Sequence, residues 1–177
     1  HFHPDHVSDF MPLIQALDYT PGFEREKKLL LLGSKGLQEF VSGLFKVYGL
    51  KPKSFELEIV ELEGKYDFSE KFYIESMTGN HSKSSIITKF MYENSNGKQK
   101  GFVYSSDTDF DPEIAVFARD IDMLVLECSF PYKVDKHLTP EEAGIIAYKA
   151  NSKNLLLTHF YPDCDASDTK IKSRIRE

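Results

Sequence analysis

The first six residues, HFHPDH, contain His1, His3, Asp5 and His6, which is half of the chain's six histidines together with a carboxylate. Imidazole nitrogens and carboxylate oxygens are good ligands for Zn²⁺ and related borderline ions. Residues 1, 3 and 5 would share one side of an extended segment, with His6 at the turn into a helix. Four such groups in six residues are hard to hold together without a cation. Asp5, and the helical apolar pattern that follows at once, set the stretch apart from a histidine-rich tag. Other reactive side chains stand where apolar runs end: His81 in SMTGNHS, Asp107 in FVYSSDT and His159 in NLLLTHF. Residues at strand ends and in loops can converge on one site while the core stays apolar. Singly, each reads as an ordinary turn or surface residue; the joint pattern points to a metal site.

The elements that must position these residues follow from periodicity. Val7, Phe10, Met11, Ile14 and Leu17 recur at helical spacing. LLLLG (29–33) predicts a buried strand, and Ser34 is placed to cap a second helix carrying Leu37, Phe40, Val41, Leu44, Phe45 and Tyr48. SFELEIVELE alternates apolar residues with glutamates, predicting a strand with one wet face. Two strand-like runs flank NSNG, where Asn96-Gly97 supplies a tight hairpin turn. Asp111-Pro112 opens a short helix, and DMLVLEC (122–128) reads as a buried strand. TPEEAGIIAYKA carries a capping box, with Thr139 as N-cap, Pro140 at the first position and Glu142 three residues on. Its inner stripe is Ala143, Ile146, Ala147 and Ala150. NLLLTHF (154–160) predicts a last strand, and SDTKIKSRIRE a last helix. This mixture is α/β or α+β.

Composition narrows the class. A chain of 177 residues suits one domain, and 41% hydrophobic with 13% aromatic residues predicts a globular one. No apolar run approaches 18 residues and no signal-peptide pattern is present, so no membrane partner is expected. Two cysteines make no disulfide framework, and a reducing, cytoplasmic setting is the expectation. Cys128 reads as core, and Cys164 as a loop thiol five residues beyond His159, near enough to support the site. A net charge of −6 argues against a large nucleic-acid surface.

The spacing His-x-His-x-Asp-His at residues 1–6 resembles the signature of the metallo-β-lactamase superfamily. The later order, His81, Asp107 in a Ser-Asp-Thr context, then His159, resembles it too. Within that superfamily the chain looks like ribonuclease Z and related phosphodiesterases, through FVYSSDTDF and HLTPEEAGIIAYKANSKNLLLTHFYP. The resemblance implies an α/β (α+β) fold, a four-layer αββα metallo-β-lactamase sandwich. Members carry strands ahead of the motif and one more after the last helix. Residues 1–177 are therefore expected to form a single partial domain lacking N-terminal strands and the C-terminal end.

The resemblance also implies a ligand set. His1, His3 and His81 would hold one divalent metal, Asp5, His6 and His159 a second, and Asp107 would bridge them. Zinc is the expected metal, since a histidine at position 3 suits zinc better than the carboxylate of di-iron relatives; manganese or iron would also fit. Such a pair lowers the pKa of a bridging water, and the hydroxide attacks phosphorus or a carbonyl carbon. Asp5 and His137 are the implied catalytic residues, with Asp5 accepting a proton and His137 contacting the phosphate and protonating the leaving oxygen. The expected function is a dinuclear metal-dependent hydrolase of phosphodiesters. The alternatives are a carboxyl-ester, thioester or lactone hydrolase on the same site, a copper centre braced by an N-terminal His1, or a non-catalytic metal-binding scaffold. The substrate is expected to be a phosphodiester or other small molecule. RNA is not favoured, because no Gly/Pro-rich tRNA-gripping arm is visible between Leu50 and Gly79. Relatives of this kind often dimerise, so a homodimer is one assembly the resemblance allows, and the sequence does not fix the oligomeric state.

Overall fold

A computed structural model describes residues 1–164 and 175. The expected helix over 167–177 therefore lies outside the described residues, apart from Ile175. The chain divides into two compact units, His1–Glu63 and Gly64–Glu177.

In the first unit, helix α1 spans Pro4–Val7 and α2 spans Phe10–Tyr19. Pro4 occupies the first helical position, where its fixed φ suits the helix and its missing N–H costs nothing. The helix therefore starts earlier than the 1-3-5 pattern suggests. His3 is extended at φ −66° and ψ 150°, whereas Asp5 and His6 already lie in α1. Met11 and Ile14 are the buried members of the apolar stripe. Strand β1 (Leu29–Gly33) pairs in parallel with β2 (Leu57–Glu61), and helix α3 (Leu37–Tyr48) lies between them in sequence.

The cap of α3 differs from the sequence expectation. Gly36, at φ +91°, is the N-cap, and Glu61 reaches across from β2 to accept from the amides of Gly36 (3.0 Å) and Gln38 (3.1 Å). Turning from β1 into α3 requires a left-handed residue, which glycine supplies without steric cost. A carboxylate at the positive helix end then replaces the side-chain cap expected from Ser34. Along β2 the residues are all half-buried, so the anticipated alternation is absent. Its glutamates have local partners instead: Glu58 pairs with Lys28, and Glu61 with the α3 start.

The second unit contains a six-stranded sheet in the order β3-β4-β5-β6-β7-β8. The strands are β3 (Lys65–Ser69), β4 (Phe72–Thr78), β5 (Ile86–Glu93), β6 (Gln99–Tyr104), β7 (Met123–Glu127) and β8 (Leu155–Thr158). The first four run antiparallel in sequence, and β6, β7 and β8 are mutually parallel. The β5–β6 hairpin turns through Gly97 (φ +72°), with the Asn94 side chain accepting from the amides of Asn96 and Lys98. The β3–β4 hairpin has no counterpart in the sequence reading. Its residues KYDFS alternate charge with aromatics and form no apolar run, yet Phe68 stacks on Phe72 at 4.6 Å.

Parallel neighbours need crossovers. Helix α4 (Pro112–Phe117) connects β6 to β7, and α5 (Pro140–Lys149) connects β7 to β8. Asp111 caps α4 by accepting from the Glu113 amide at 2.9 Å, and the Thr139–Glu142 capping box is present on α5. Ile87, Val103, Leu124 and Leu126 from the sheet pack with Ile114, Ala118, Ala143, Ile146 and Ala150 in one apolar core. At one end of the parallel strands, Asp122 binds Lys100 (2.8 Å), Lys153 (2.6 Å) and the Gly101 amide (3.1 Å). The two ammonium groups hold its carboxyl well below the usual carboxylate range. At the other end, the carboxyl ends of β6, β7 and β8 open into the segments carrying Asp107, Glu127–Ser129 and His159. Both units thus combine helices with sheet, as an α/β chain of this class requires. Among the described residues, no helix is long and apolar enough to cross a membrane.

Candidate metal and acid–base site

In the first unit, the opening residues bring two imidazoles against the ring of His1. The ring of His1 lies 4.4 Å from that of His3 and 4.1 Å from that of His6, centroid to centroid. The Asp5 carboxylate lies 3.3 Å from His6 Nε2. The His6 amide donates to the His3 carbonyl at 3.0 Å, which tightens the turn. Phe2 stacks on Phe40 of α3 at 4.7 Å, with ring planes 5° apart, so the segment is anchored between its histidines.

In the second unit, Asp107 follows β6 and is buried. One carboxylate oxygen, Oδ2, is 3.8 Å from His81 Nε2, and the other, Oδ1, is 3.4 Å from His159 Nε2. Each imidazole is oriented from behind. His81 Nδ1 is 3.0 Å from the Lys136 carbonyl, which can only accept, so Nδ1 carries the proton. His159 Nδ1 is 2.9 Å from Ser129 Oγ, whose hydroxyl donates to Glu127 Oε2 at 2.6 Å. Both histidines therefore present Nε2 toward opposite oxygens of one carboxylate. Two ligands of one tetrahedral ion at about 2.0–2.1 Å lie roughly 3.3–3.4 Å apart. The His159–Asp107 separation matches that and the His81–Asp107 separation is longer, so this donor set fits divalent-cation binding.

His137 lies in the same unit. Its ring is 4.9 Å from that of His81 and 5.9 Å from that of His159. Its Nδ1 is 3.1 Å from both oxygens of Glu127, so Nδ1–H points back and Nε2 is presented forward. Glu127, His137 and His159 are close enough to share an ion. The buried Glu127 carboxylate is already committed, however, accepting from the Thr108 amide (2.7 Å), the Ser129 hydroxyl (2.6 Å) and the Leu138 amide (3.3 Å). Glu127 thus joins the loops that carry Thr108, Ser129, His137 and Leu138.

The backbone is forced where these side chains must be aimed. Ser106, Lys136 and His159 all have positive φ, at 51°, 66° and 60°. Such conformations cost non-glycine residues about 1–3 kcal/mol each and cluster at functional sites. Lys136 turns its carbonyl to His81, and its amide donates to Asp109 Oδ2 at 3.1 Å. Burial opposes the charge of Asp109, yet the Lys133 ammonium and the amides of Phe110 and Lys136 hold its carboxyl below the usual range. The Asp109–Lys133 pair also ties the loop to α5, since Lys133 Nζ lies 3.0 Å from Glu142.

Glu127 and Ser129 were missed at the sequence level. The available signal was a glutamate ending an apolar strand: a carboxylate buried there must be partnered. Cys164 lies against Cys128, with Sγ atoms 3.8 Å apart and both side chains buried. Burial pushes the Cys128 thiol far above the usual thiol range, which suits a core residue.

The chain matches known proteins over most of its length. The family described as Beta-lactamase superfamily domain matches residues 1–160. Ribonuclease Z of Sulfurisphaera tokodaii is 27% identical, covering 93% of this chain and 69% of that enzyme. Ribonuclease Z of Thermococcus sibiricus is 28% identical, covering 92% and 67%. In structure, the metallo-beta-lactamase fold protein YhfI of Bacillus subtilis superposes with a TM-score of 0.75 at 21% identity, over 99% of this chain and 67% of that one. The short form of human tRNase Z gives 0.72 at 17% identity, over 90% and 70%. The chain thus spans about two-thirds of the length of these relatives and shares their fold. From its opening HFHPDH to the segment after β8 that carries His159, this chain belongs to the beta-lactamase superfamily domain family and has the metallo-β-lactamase fold.

Proposed function

We propose that the chain is a metal-dependent hydrolase of phosphodiesters. In this reading His1, His3 and His81 serve one divalent cation, Asp5, His6 and His159 a second, and Asp107 is shared. Zinc suits the histidine-rich donor set best. The bound cations would supply Lewis acidity and a readily deprotonated water. Asp5 accepts the proton of the attacking water. The observation that carries the choice of phosphodiester is the His137–Glu127 pair. A phosphodiester with an alkoxide leaving group needs a proton on that oxygen. His137 is held with Nδ1 against a buried carboxylate and Nε2 presented beside His81 and His159, as a proton donor requires. The names of the ribonuclease Z relatives point the same way.

The test uses the metal-loaded chain with a generic phosphodiester, a carboxyl ester and a lactone. Phosphodiester turnover should dominate. His137→Ala should keep both metals and lose about 10²–10⁴-fold on an alkyl leaving group, with a smaller loss on p-nitrophenolate. Equal losses on both leaving groups would reject the acid role. Faster ester or lactone turnover would assign the same site to carbonyl substrates.

A further inference from the structure

Beside His137 and His159 lies a group of aromatic rings that the hydrolytic chemistry does not use. Phe130 and Tyr161 are stacked at 4.6 Å, with planes 27° apart. Phe130 is 5.8 Å from the His137 ring, and Tyr161 is 5.6 Å from His159 and 6.4 Å from His137. Tyr132 adds an edge, 5.9 Å from Phe130. These rings are not held by burial, since Tyr161 is 43% and Tyr132 53% exposed. They are held by neighbours. The Tyr161 amide donates to the Ser129 carbonyl at 3.1 Å, the Cys164 amide donates to the Tyr161 carbonyl at 2.8 Å, and the Tyr132 hydroxyl donates to Asp163 at 2.8 Å. Two loops following neighbouring strands, β7 and β8, are thereby zipped together, and the open ring surface is organised in advance.

Large aromatic surface kept exposed and fixed has little value for folding, since burial is what stabilises a ring. Its value lies in stacking: a flat π-system binds flat π-systems with little regard to their substituents. Its position selects which part of a substrate it meets. His137 gives its proton to the leaving oxygen, so rings flanking His137 meet the group attached to that oxygen.

Building on the proposed phosphodiesterase reading, we infer that Phe130, Tyr132 and Tyr161 form a subsite that stacks a planar aromatic group, a nucleobase or an aryl ring, on the leaving side of the scissile phosphate. Tyr161 is the central ring, backed by Phe130, and Tyr132 closes one edge. The site thereby prefers nucleoside or aryl phosphoesters over alkyl and plain sugar ones.

The test measures binding of four ligands to the full zinc-loaded chain by titration calorimetry: inorganic phosphate, ribose 5-phosphate, phenyl phosphate and adenosine 5′-monophosphate. Phosphomonoesters can place their single ester group over His137. The two aromatic ligands should bind roughly 10–100-fold more tightly than ribose 5-phosphate. Tyr161→Leu should abolish that advantage while leaving the ribose 5-phosphate affinity within about twofold, which also reports an intact fold and phosphate site. Tyr161→Phe should retain it. Equal binding of aromatic and sugar phosphates to the wild type, or an advantage that survives Tyr161→Leu, would overturn the subsite and leave the phosphate reading standing. No binding of any phosphate would overturn the proposed function, and this inference with it.

Discussion

Replacing Glu127 with glutamine exchanges one oxygen for an amide nitrogen and preserves the side-chain shape. The carboxylate accepts from Thr108 N–H at 2.7 Å, Ser129 O–H at 2.6 Å and Leu138 N–H at 3.3 Å, besides its contact with His137 Nδ1 at 3.1 Å. A carboxamide has only one acceptor oxygen. If that oxygen keeps Thr108, the new NH₂ faces the Leu138 amide and at least one buried donor loses its acceptor. The cost is about 1–3 kcal/mol, a tolerable fraction of the usual 5–15 kcal/mol of a folded domain. Glu127→Ala would strand its three fully buried donors at once, besides His137, roughly 3–9 kcal/mol by the same scale, and is expected to unfold the second unit. Glu127→Gln therefore separates chemistry from folding. It removes the charge that steadies His137 as proton donor. Turnover of an alkyl phosphodiester should fall about 100-fold, the upper range for losing a partner that orients a site residue. The loss on p-nitrophenolate should be under about tenfold, because that group leaves without a proton. The assay is steady-state kinetics on both substrates, with metal content and a urea midpoint measured on the same preparation. A variant with a lowered midpoint and wild-type turnover on both substrates would make Glu127 a purely structural carboxylate and refute the reasoning.

Asp107→Ala should lose metal and activity together when metal content is measured against turnover, and retention of both cations would end its assignment as the shared ligand. Ser129→Ala removes the acceptor of His159 Nδ1, at 2.9 Å, and should weaken metal affinity about 10–100-fold in a chelator competition; an unchanged affinity would show that the chain from His159 to Glu127 does not tune the ligand. Lys100 and Lys153 depress the Asp122 carboxyl, so its folded pKa lies below its unfolded value. Its stabilisation is then full above about pH 4 and fades as pH falls through the folded pKa. The gap in urea midpoint between wild type and Asp122→Asn should accordingly be largest near neutrality and shrink in acid. A gap that widens below about pH 4 would contradict the clamp.

The sequence by itself determined what depends on local chemistry. HFHPDH is legible as a ligand cluster because ligand identity belongs to single residues, and four donors within six residues cannot lie far apart. The capping box at Thr139 and Glu142 and the cap at Asp111 are legible because each bond closes within a turn of its own helix. Strand β7 is legible because a strand packed on both faces reads as an apolar run, and β8 reads as the same kind of run although its Leu156 is exposed. Other features needed the tertiary structure. Gly36 took the cap expected of Ser34 because Glu61, from another strand, supplies the acceptor. The β3–β4 hairpin forms from alternating charged and aromatic residues that gain a partner only once paired. Asp5 entered a helix because Pro4 starts one. The second unit depends most on tertiary assembly. Asp107, Glu127 and His159 meet because β6, β7 and β8 run parallel and end together, and Glu127 is fixed in place because Thr108, Ser129, His137 and Leu138 are all brought to it. A buried carboxylate takes its role from its donors, and these donors come from separate loops that only the register of the sheet brings together.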